Sequence, residues 1–307
     1  MACGVQLQMR NRVLSFEARP LVMGIINVND DSFSADGSLD PQELVKQIRH
    51  QIASGADIID IGAESARTNR RAIDEAEELR RFRLVIEMWH EIWSTVQPVD
   101  AQQVWPPVLS ANTWRSHVVR GVVEMGAEIV NDMSALPDGA NAALCADAGA
   151  ALLIMHSVGE PKVPHFHQKW HDVMGEMERF FSEKIELAEK HGLRRDSILL
   201  DPGIDFAKQK ADNLTVYRNL DRLRAFDRPL LVPVSRKTVI GDVLGINDPR
   251  ERDAGGAVAA VRRHARHRRP CLPADTSSRP SALVCYHRTA PAIARSVPLL
   301  RPPHIRV

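Results

Sequence analysis

The 307-residue sequence has few of the features that mark membrane or secreted proteins. It contains no run of about 18 uncharged apolar residues, which a membrane-spanning helix would need. The first twenty residues mix charges with isolated apolar residues and hold no continuous apolar segment, so we expect no secretory signal. These absences favour a cytoplasmic protein without a membrane anchor.

Closely spaced metal-ligating residues are also scarce. The four cysteines (Cys3, Cys145, Cys271 and Cys285) lie far apart, which excludes a zinc ribbon and gives no reason to expect a disulfide framework. The one histidine cluster has no interleaved acidic ligand, so it favours a solvated loop over a metal site. Its members are His156, His165, His167 and His171.

Lysine is absent after Lys237, and the last 54 residues differ in composition from the rest. Residues 254–307 contain ten arginines, seven prolines and one acidic residue, Asp275. A basic tail can bind nucleic acid, but this one has almost no interleaved aromatic residues and matches no nucleic-acid-binding module. We therefore predict a single domain over residues 1–307, no nucleic-acid partner, and a poorly ordered tail that was never selected to fold.

Short apolar runs alternate with amphipathic stretches between residues 21 and 236. The apolar runs predict strands at 21–28, 56–62, 104–111, 128–132, 151–156, 198–201 and 229–235. The amphipathic stretches predict helices at 40–54, 72–94, 115–125, 139–148, 170–190 and 213–226.

Seven β-α units in succession predict a parallel sheet, and seven or eight predict an α/β fold of the closed (β/α)8, or TIM-barrel, type. An open doubly wound sheet is the alternative. Its dinucleotide-binding version is disfavoured because no G-x-G-x-x-G follows the first strand. We expect the eighth unit to be atypical or incomplete, since only 253–267 is a helix candidate and only 281–286 a strand candidate.

Polar residues end nearly every predicted strand, at the barrel rim where chemistry takes place. They are Asn27, Glu64-Ser65, Asn112, Asn131-Asp132, His156, Asp201 and Ser235-Arg236-Lys237. Any one of them could cap the following helix. Together they offer amide and carboxylate groups for a flat polar heterocycle, with lysine and arginine for phosphate.

Five segments in this part of the chain resemble motifs of the dihydropteroate synthase family. Residues 23–34 (MGIINVNDDSFS) and 58–67 (IIDIGAESAR) are similar to its first two signatures. Asn131-Asp132, 199–203 (LLDPG) and 234–237 (VSRK) follow in the family's order and spacing. The resemblance covers roughly residues 21–255. It implies a TIM barrel that joins p-aminobenzoate to a dihydropterin diphosphate in folate biosynthesis, releasing pyrophosphate with the help of Mg²⁺.

The resemblance implies a pterin-binding set of Asn112, Asn131, Asp201 and Lys237. Asp201 would accept hydrogen bonds from the aminopyrimidine edge, and Lys237 would donate to the ring. Asn112, Lys237 and Arg67 would form the catalytic set, which chiefly positions a nucleophilic amine and stabilises charge on the leaving group.

Three further residues take roles from the same resemblance. Asn27 would bind the pyrophosphate and would be the Mg²⁺ ligand, since an amide oxygen suits a hard cation that keeps most of its waters. Arg67 would meet the pyrophosphate. Phe33 and Ser235 would line the p-aminobenzoate pocket. The family resemblance leaves open whether the chain forms a homodimer.

The chain departs from the family pattern at four places. Asn112 stands where the family has an aspartate that stabilises positive charge on the pterin, and Ala66 replaces a threonine of the second loop. Asn29-Asp30 replaces Thr-Pro in the first loop. After Gly255 the chain has no counterpart of the family's final Arg-x-His, which suggests a shifted reading frame or a recombined end.

These departures leave three functions open. The first is a dihydropteroate synthase, active or weakened. The second is a protein that binds a pterin on the same scaffold without turning it over, which Asn112, Ala66 and the altered end favour. The third is a pterin-dependent methyl-transfer module, which is disfavoured because the sequence contains no corrinoid-binding domain.

Overall fold

A computed structural model of the chain describes residues 5–16, 19–29, 37–65, 71–163, 165, 167–253 and the backbone of 282–286. Apart from Asp253 and the backbone of 282–286, the predicted tail (254–307) and the predicted helix at 253–267 lie outside the described residues. So do two of the predicted site residues, Phe33 and Arg67, and the replaced residues Ala66 and Asp30.

The predicted barrel is confirmed. A short antiparallel hairpin of β1 (Gln6–Met9) and β2 (Arg12–Ser15) precedes the strands of a closed parallel barrel. Those strands are β3 (Leu21–Asn27), β4 (Ile58–Gly62), β5 (Val108–Asn112), β6 (Ile129–Asp132), β7 (Ala151–Met155), β8 (Ile198–Asp201), β9 (Leu230–Pro233) and β10 (Ala282–Tyr286).

The eighth strand completes the barrel. The backbone of β10 pairs in parallel with β9 on one side and with β3 on the other, Leu283 lying opposite both Leu231 and Leu21. The strand candidate at 281–286 is therefore confirmed to within one residue. Because β10 joins the first and last strands of the β3–β9 sheet, it removes both exposed sheet edges.

Eight helices occur in the described part of the chain, and most of them cover the outside of the barrel. They are α1 (Pro41–Ala53), α2 (Glu75–Ile86), α3 (Trp89–Ser94), α4 (Ser116–Glu124), α5 (Ala140–Ala148), α6 (Val173–Lys190), α7 (Lys210–Arg218) and α8 (Thr238–Leu244). Among the described residues, no helix combines the length and apolar character needed to cross a membrane.

Two element boundaries differ from the prediction for identifiable reasons. The helix predicted at 72–94 is two helices: Asp74 caps α2 by accepting a hydrogen bond from the Glu77 amide, and the chain then turns so that Ile92 of α3 is buried. The strand predicted to start at 104 starts at Val108 instead. Pro106 and Pro107 lack the N–H groups that strand pairing requires.

The hairpin, which the sequence pattern did not predict, closes the amino end of the barrel. Its four buried side chains join one hydrophobic cluster with the first inward-facing residues of the barrel strands. They are Leu7, Met9, Leu14 and Phe16. Since this end is filled by apolar side chains, the polar mouth lies at the carboxyl ends of the strands, where barrel enzymes place their sites.

A buried carboxylate holds the amino ends of β3 and β4 together. Asp57 is fully buried and forms a two-pronged ion pair with Arg19, with N–O distances of 2.6 and 2.7 Å. It also accepts hydrogen bonds from the backbone amides of Val22 and Val104 at 2.8 and 3.0 Å. One side chain thus satisfies donors from two other segments, residues 19–22 and the chain before β5.

We expect Asp57→Ala to destabilise the fold by about 3–5 kcal/mol, because it removes the counter-ion of the half-buried Arg19 and the acceptor of the Val22 and Val104 amides. Urea unfolding measures the change. Asp40→Ala, which removes the cap that accepts from the Gln42 amide at the start of α1, is the control and should cost about 1 kcal/mol. Equal losses of unfolding free energy in the two variants would show that Asp57 contributes no more to stability than an ordinary helix cap.

Candidate active site

Three asparagines lie side by side at the mouth of the barrel. The strand register places Asn27 opposite Gly62, Gly62 opposite Asn112, and Asn112 opposite Asn131. Neighbouring strands lie about 4.8 Å apart, so these residues form one row along the rim. Asn131 is buried, while Asn27 and Asn112 are half-buried. The register therefore brings three of the predicted site residues together.

A carboxylate lies beneath this row. Asp60 is two residues before Gly62 on β4, so both residues face the barrel interior. Its Oδ1 accepts a hydrogen bond from Ser110 Oγ at 2.5 Å, and its Oδ2 accepts one from Asn131 Nδ2 at 2.9 Å. Burial raises the pKa of Asp60 to about 6, and the charge of Asp201 adds to that rise. The neighbouring side chains of Ser110, Asn131 and Asn112 lower the pKa of Asp60.

Asp201 ends β8 and lies at the opposite side of the mouth. It is 7% exposed and accepts a hydrogen bond from the Gly203 amide at 2.7 Å. Burial raises its pKa, although the charges of Lys237 and Lys208 act in the other direction. Gly203 has φ of 62°, and a Cβ there would lie 2.0 Å from the His156 carbonyl oxygen, so this turn requires glycine.

Lys237 is positioned by the loop that follows β8. Its Nζ donates to the Ile204 carbonyl oxygen at 3.0 Å and lies 5.2 Å from the centre of the Phe206 ring. Asp205 of the same loop accepts hydrogen bonds from the amides of Thr238 and Val239, at the start of α8. The loop thus fixes the helix start that carries Lys237 next to Asp201.

Ser235 lies two residues beyond β9, and its Oγ is buried without a hydrogen-bonding partner among the described residues. The next residue, Arg236, is turned away into a two-pronged ion pair with Asp253 at 2.8 and 2.9 Å. Of the three polar residues that end this strand, Ser235 and Lys237 are therefore left for a ligand.

Comparison with known proteins agrees with this geometry. The family model described as "Pterin binding enzyme" matches residues 23–266. The dihydropteroate synthase of Escherichia coli strain K12 is 34% identical over 247 residues, covering 80% of this chain and 82% of that protein. The dihydropteroate synthase of Synechocystis is 35% identical over 246 residues, covering 80% and 81%. The chain belongs to the dihydropteroate synthase family.

Solved structures of dihydropteroate synthases share the fold. The Yersinia pestis enzyme in complex with a sulfonamide drug gives a TM-score of 0.77 at 28% identity, covering 94% of this chain and 95% of that one. The Xanthomonas albilineans enzyme in complex with 7,8-dihydropteroate gives 0.73 at 30% identity, covering 95% and 100%. The resemblance inferred from the five motifs is thereby confirmed for both fold and family.

Within the dihydropteroate synthase fold, sequence reasoning missed two buried ionisable residues at the mouth. Asp60 could have been found, since it is the one charged residue inside an apolar strand and shares a face with the strand's last residue. Lys208 had no such signal. Its Nζ donates to three backbone carbonyls, those of Gly203, Phe206 and His156, at 3.0, 3.1 and 3.2 Å. Burial lowers the pKa of Lys208 to about 7.

An ion-pair network holds the rim loops beside Asn112. Arg115 pairs with Glu64 at 2.6 Å and with Glu78 of α2, and Lys162 pairs with Glu64 at 2.8 Å. Both glutamates are buried, and burial raises the pKa of Glu78. The network joins the loops that follow β4, β5 and β7, so Glu64 is a structural contact of the rim.

His156 does not face the mouth as its position at a strand end predicts. Its ring packs against the aromatic rings of Trp170, Phe180 and Phe181, with centroid distances of 5.2, 4.9 and 6.3 Å. Burial lowers its pKa to about 2. In the described part of the chain no group of three histidine, cysteine or acidic residues could hold a metal ion.

The raised pKa of Asp60 gives stability a defined pH dependence. The folded chain holds this proton more tightly than the unfolded chain, so ionising Asp60 costs stability as pH rises from about 4 to about 6, and the cost persists above that. Relative to Asp60→Asn, the wild type should lose about 2–3 kcal/mol between pH 4 and pH 7. Urea unfolding at each pH measures this. If the unfolding free energies of the wild type and Asp60→Asn changed equally with pH, Asp60 would not have a raised pKa.

Proposed function

We propose that the chain is a dihydropteroate synthase that condenses p-aminobenzoate with 6-hydroxymethyl-7,8-dihydropterin diphosphate. The amine nitrogen forms a bond to the exocyclic methylene carbon while the carbon–oxygen bond breaks. The electron pair leaves with pyrophosphate, and the amine gives up one proton. The observation that carries this proposal is the convergence of Asp201, Asn131 and Lys237 at the mouth of a barrel whose relatives are dihydropteroate synthases.

We assign pterin recognition to three residues whose side chains lie together at the mouth of the barrel. The Gly203 amide uses Oδ1 of Asp201, which leaves Oδ2 to accept from an aminopyrimidine edge. Asn131 uses its Nδ2 on Asp60, so its oxygen is the end available to a ligand. Lys237 carries a positive charge beside them and would donate to the ring. Buried polar groups of this kind gain most when a ligand satisfies them.

The p-aminobenzoate pocket is assigned to Ser235 and Phe33. In support, the Ser235 hydroxyl is buried and has no partner among the described residues, which is the expected state of a group that meets a substrate. It lies two residues before Lys237, so an amine bound here would be near the pterin. The role of Phe33 rests on the family resemblance.

The pyrophosphate and Mg²⁺ are assigned to Asn27 and Arg67. Asn27 is half-buried, and its Oδ1 faces the space above Gly62, where an added Cβ would lie 3.9 Å from it. A single amide oxygen suits Mg²⁺, which keeps several waters and often shares phosphate oxygens with its substrate. When bound, the ion would offset charge on the departing pyrophosphate. Arg67 would do the same as a fixed cation.

A pterin-binding protein without turnover is the second candidate. The observation that favours it is Asn112, because an amide cannot supply the full negative charge that would oppose positive charge on the pterin. Losing one such group typically costs about 10²–10³ in rate. The cytoplasmic location and the homodimer also remain proposals.

Asp201→Asn should weaken pterin binding at least tenfold, since it removes the negative charge that faces the aminopyrimidine edge. Calorimetric titration of the full chain with 6-hydroxymethylpterin measures this, with pyrophosphate release as a second readout. Asp196→Asn is the matched control, because Asp196 is at the opposite end of β8 and pairs with Arg194. Unchanged affinity in Asp201→Asn would remove the pterin site from this account.

Asn112→Asp should raise the turnover number of pyrophosphate release while leaving pterin affinity within a few-fold. The new carboxylate would face the developing positive charge. Because it would also lie next to Asp60, the two groups would compete for one proton, and the gain should be larger at pH 8 than at pH 6. Asn112→Ala is the control and should lower turnover. If Asn112→Asp raised the turnover number at neither pH 6 nor pH 8, the result would favour a pterin-binding protein without turnover.

A further inference from the structure

We propose that Asp60 is a positioning residue that turns the rim amide of Asn131 so that its carbonyl oxygen faces the bound pterin. This inference rests on the proposed function and deepens it. It names the residue that sets which hydrogen-bonding groups the pocket presents, and hence the class of ligand edge that the pocket accepts.

An asparagine side chain has a donor end, its NH2 group, and an acceptor end, its carbonyl oxygen. Asn131 donates its Nδ2 to Asp60 Oδ2 at 2.9 Å. With this donor end directed at Asp60, the carbonyl oxygen of Asn131 is left on the side that faces the mouth.

The pocket therefore presents two hydrogen-bond acceptors. Asp201 contributes a carboxylate oxygen, and Asn131 contributes an amide oxygen. A ligand edge that carries several N–H donors satisfies both, as the aminopyrimidinone edge of a pterin does. An edge that carries acceptors at the same places would leave buried groups without partners, which is the strongest basis for discrimination in a polar pocket.

Gly62 lies between Asp60 and the mouth and brings no side chain of its own. It is the next inward-facing residue on β4, and a Cβ built on it would have Asn112 Cβ and Asn27 Oδ1 as its nearest neighbours, each at 3.9 Å. Asp60 itself is only 4% exposed, so it acts on a ligand through Asn131 and not by direct contact.

Asp60 holds the Asn131 amide only when it is ionised. A protonated carboxyl group loses acceptor capacity and becomes a donor itself, so it no longer fixes the donor end of that amide. The groups that face it are Ser110 and Asn112 from β5, Asn131 from β6, and the charged Asp201 from β8. Lys237 and Lys208 act on Asp201 in turn. Since the pKa of Asp60 is about 6, pterin affinity should fall as pH drops through this value.

The test is the affinity of the full chain for 6-hydroxymethylpterin, measured by calorimetry from pH 5 to pH 8. Wild-type affinity should be constant near pH 8 and fall up to tenfold between pH 7 and pH 5. Asp60→Asn should bind at least fivefold more weakly at pH 7 and lose this decline. Ser110→Ala removes one hydrogen bond to the ionised carboxylate, so the midpoint of its decline should move to higher pH.

Glu128→Gln is the matched control, because it neutralises a partly buried carboxylate that pairs with Arg12 at the amino end of β6. It should keep the wild-type pH profile, including any titration of the ligand itself. Ser110→Ala tests the proposal even where Asp60→Asn fails to fold. A Ser110→Ala profile that superimposes on the wild type would overturn the role of Asp60 while leaving pterin binding intact. Absence of pterin binding in the wild type at every pH would overturn the proposed function and this inference with it.

Discussion

The hydrogen-bonded cluster around Asp60 is the interaction on which the rest of the site depends. One buried carboxylate accepts from Ser110 on β5 and from Asn131 on β6, so it ties three neighbouring strands together at the level of the mouth. Burying that carboxylate is costly, as its raised pKa indicates. Two donors offset part of this cost, and the result is a rim amide at Asn131 whose orientation is fixed before a ligand arrives.

The amino end of the barrel contributes mainly to stability, and the carboxyl end carries the candidate site. At the amino end, apolar side chains of the hairpin fill the interior, and Asp57 satisfies Arg19 and two backbone amides. At the carboxyl end, polar groups face an open mouth, and lysines hold the loop after β8 through backbone carbonyls. Because the costly polar groups are confined to one end, the packed end can supply the stability that the site requires.

Much of this fold follows from the sequence, because buried parallel strands are continuous apolar runs and helices between them have a different period. The seven strands and the family were predicted correctly, and the helix predicted at 40–54 agrees with α1 to within one residue at each end. The hairpin was missed, since its alternating pattern is short and its burial depends on the barrel that it closes. The break between α2 and α3 was missed because it comes from the packing of Ile92 and from no local helix breaker.

The candidate site was predictable where a polar residue ends a strand, as with Asn112, Asn131 and Asp201. A residue's position at the end of a strand does not determine the direction in which its side chain points. The sequence therefore could not show that His156 packs against Phe180 and Phe181, or that Arg236 pairs with Asp253. The burial of Lys208 could not be predicted from the sequence, because a lysine in a loop is usually solvated. Only the folded loop brings three backbone carbonyl oxygens to its Nζ.

The central claim is that this mouth carries out the condensation as well as binding the pterin. It is tested most directly by a single-turnover measurement, in which excess full-length protein is mixed with the dihydropterin diphosphate and p-aminobenzoate, and both products are quantified. The account predicts one dihydropteroate and one pyrophosphate for each pterin consumed, with dihydropteroate formed only when p-aminobenzoate is present. Recovery of bound but unreacted pterin diphosphate, with no dihydropteroate, would contradict it and identify the chain as a pterin-binding protein.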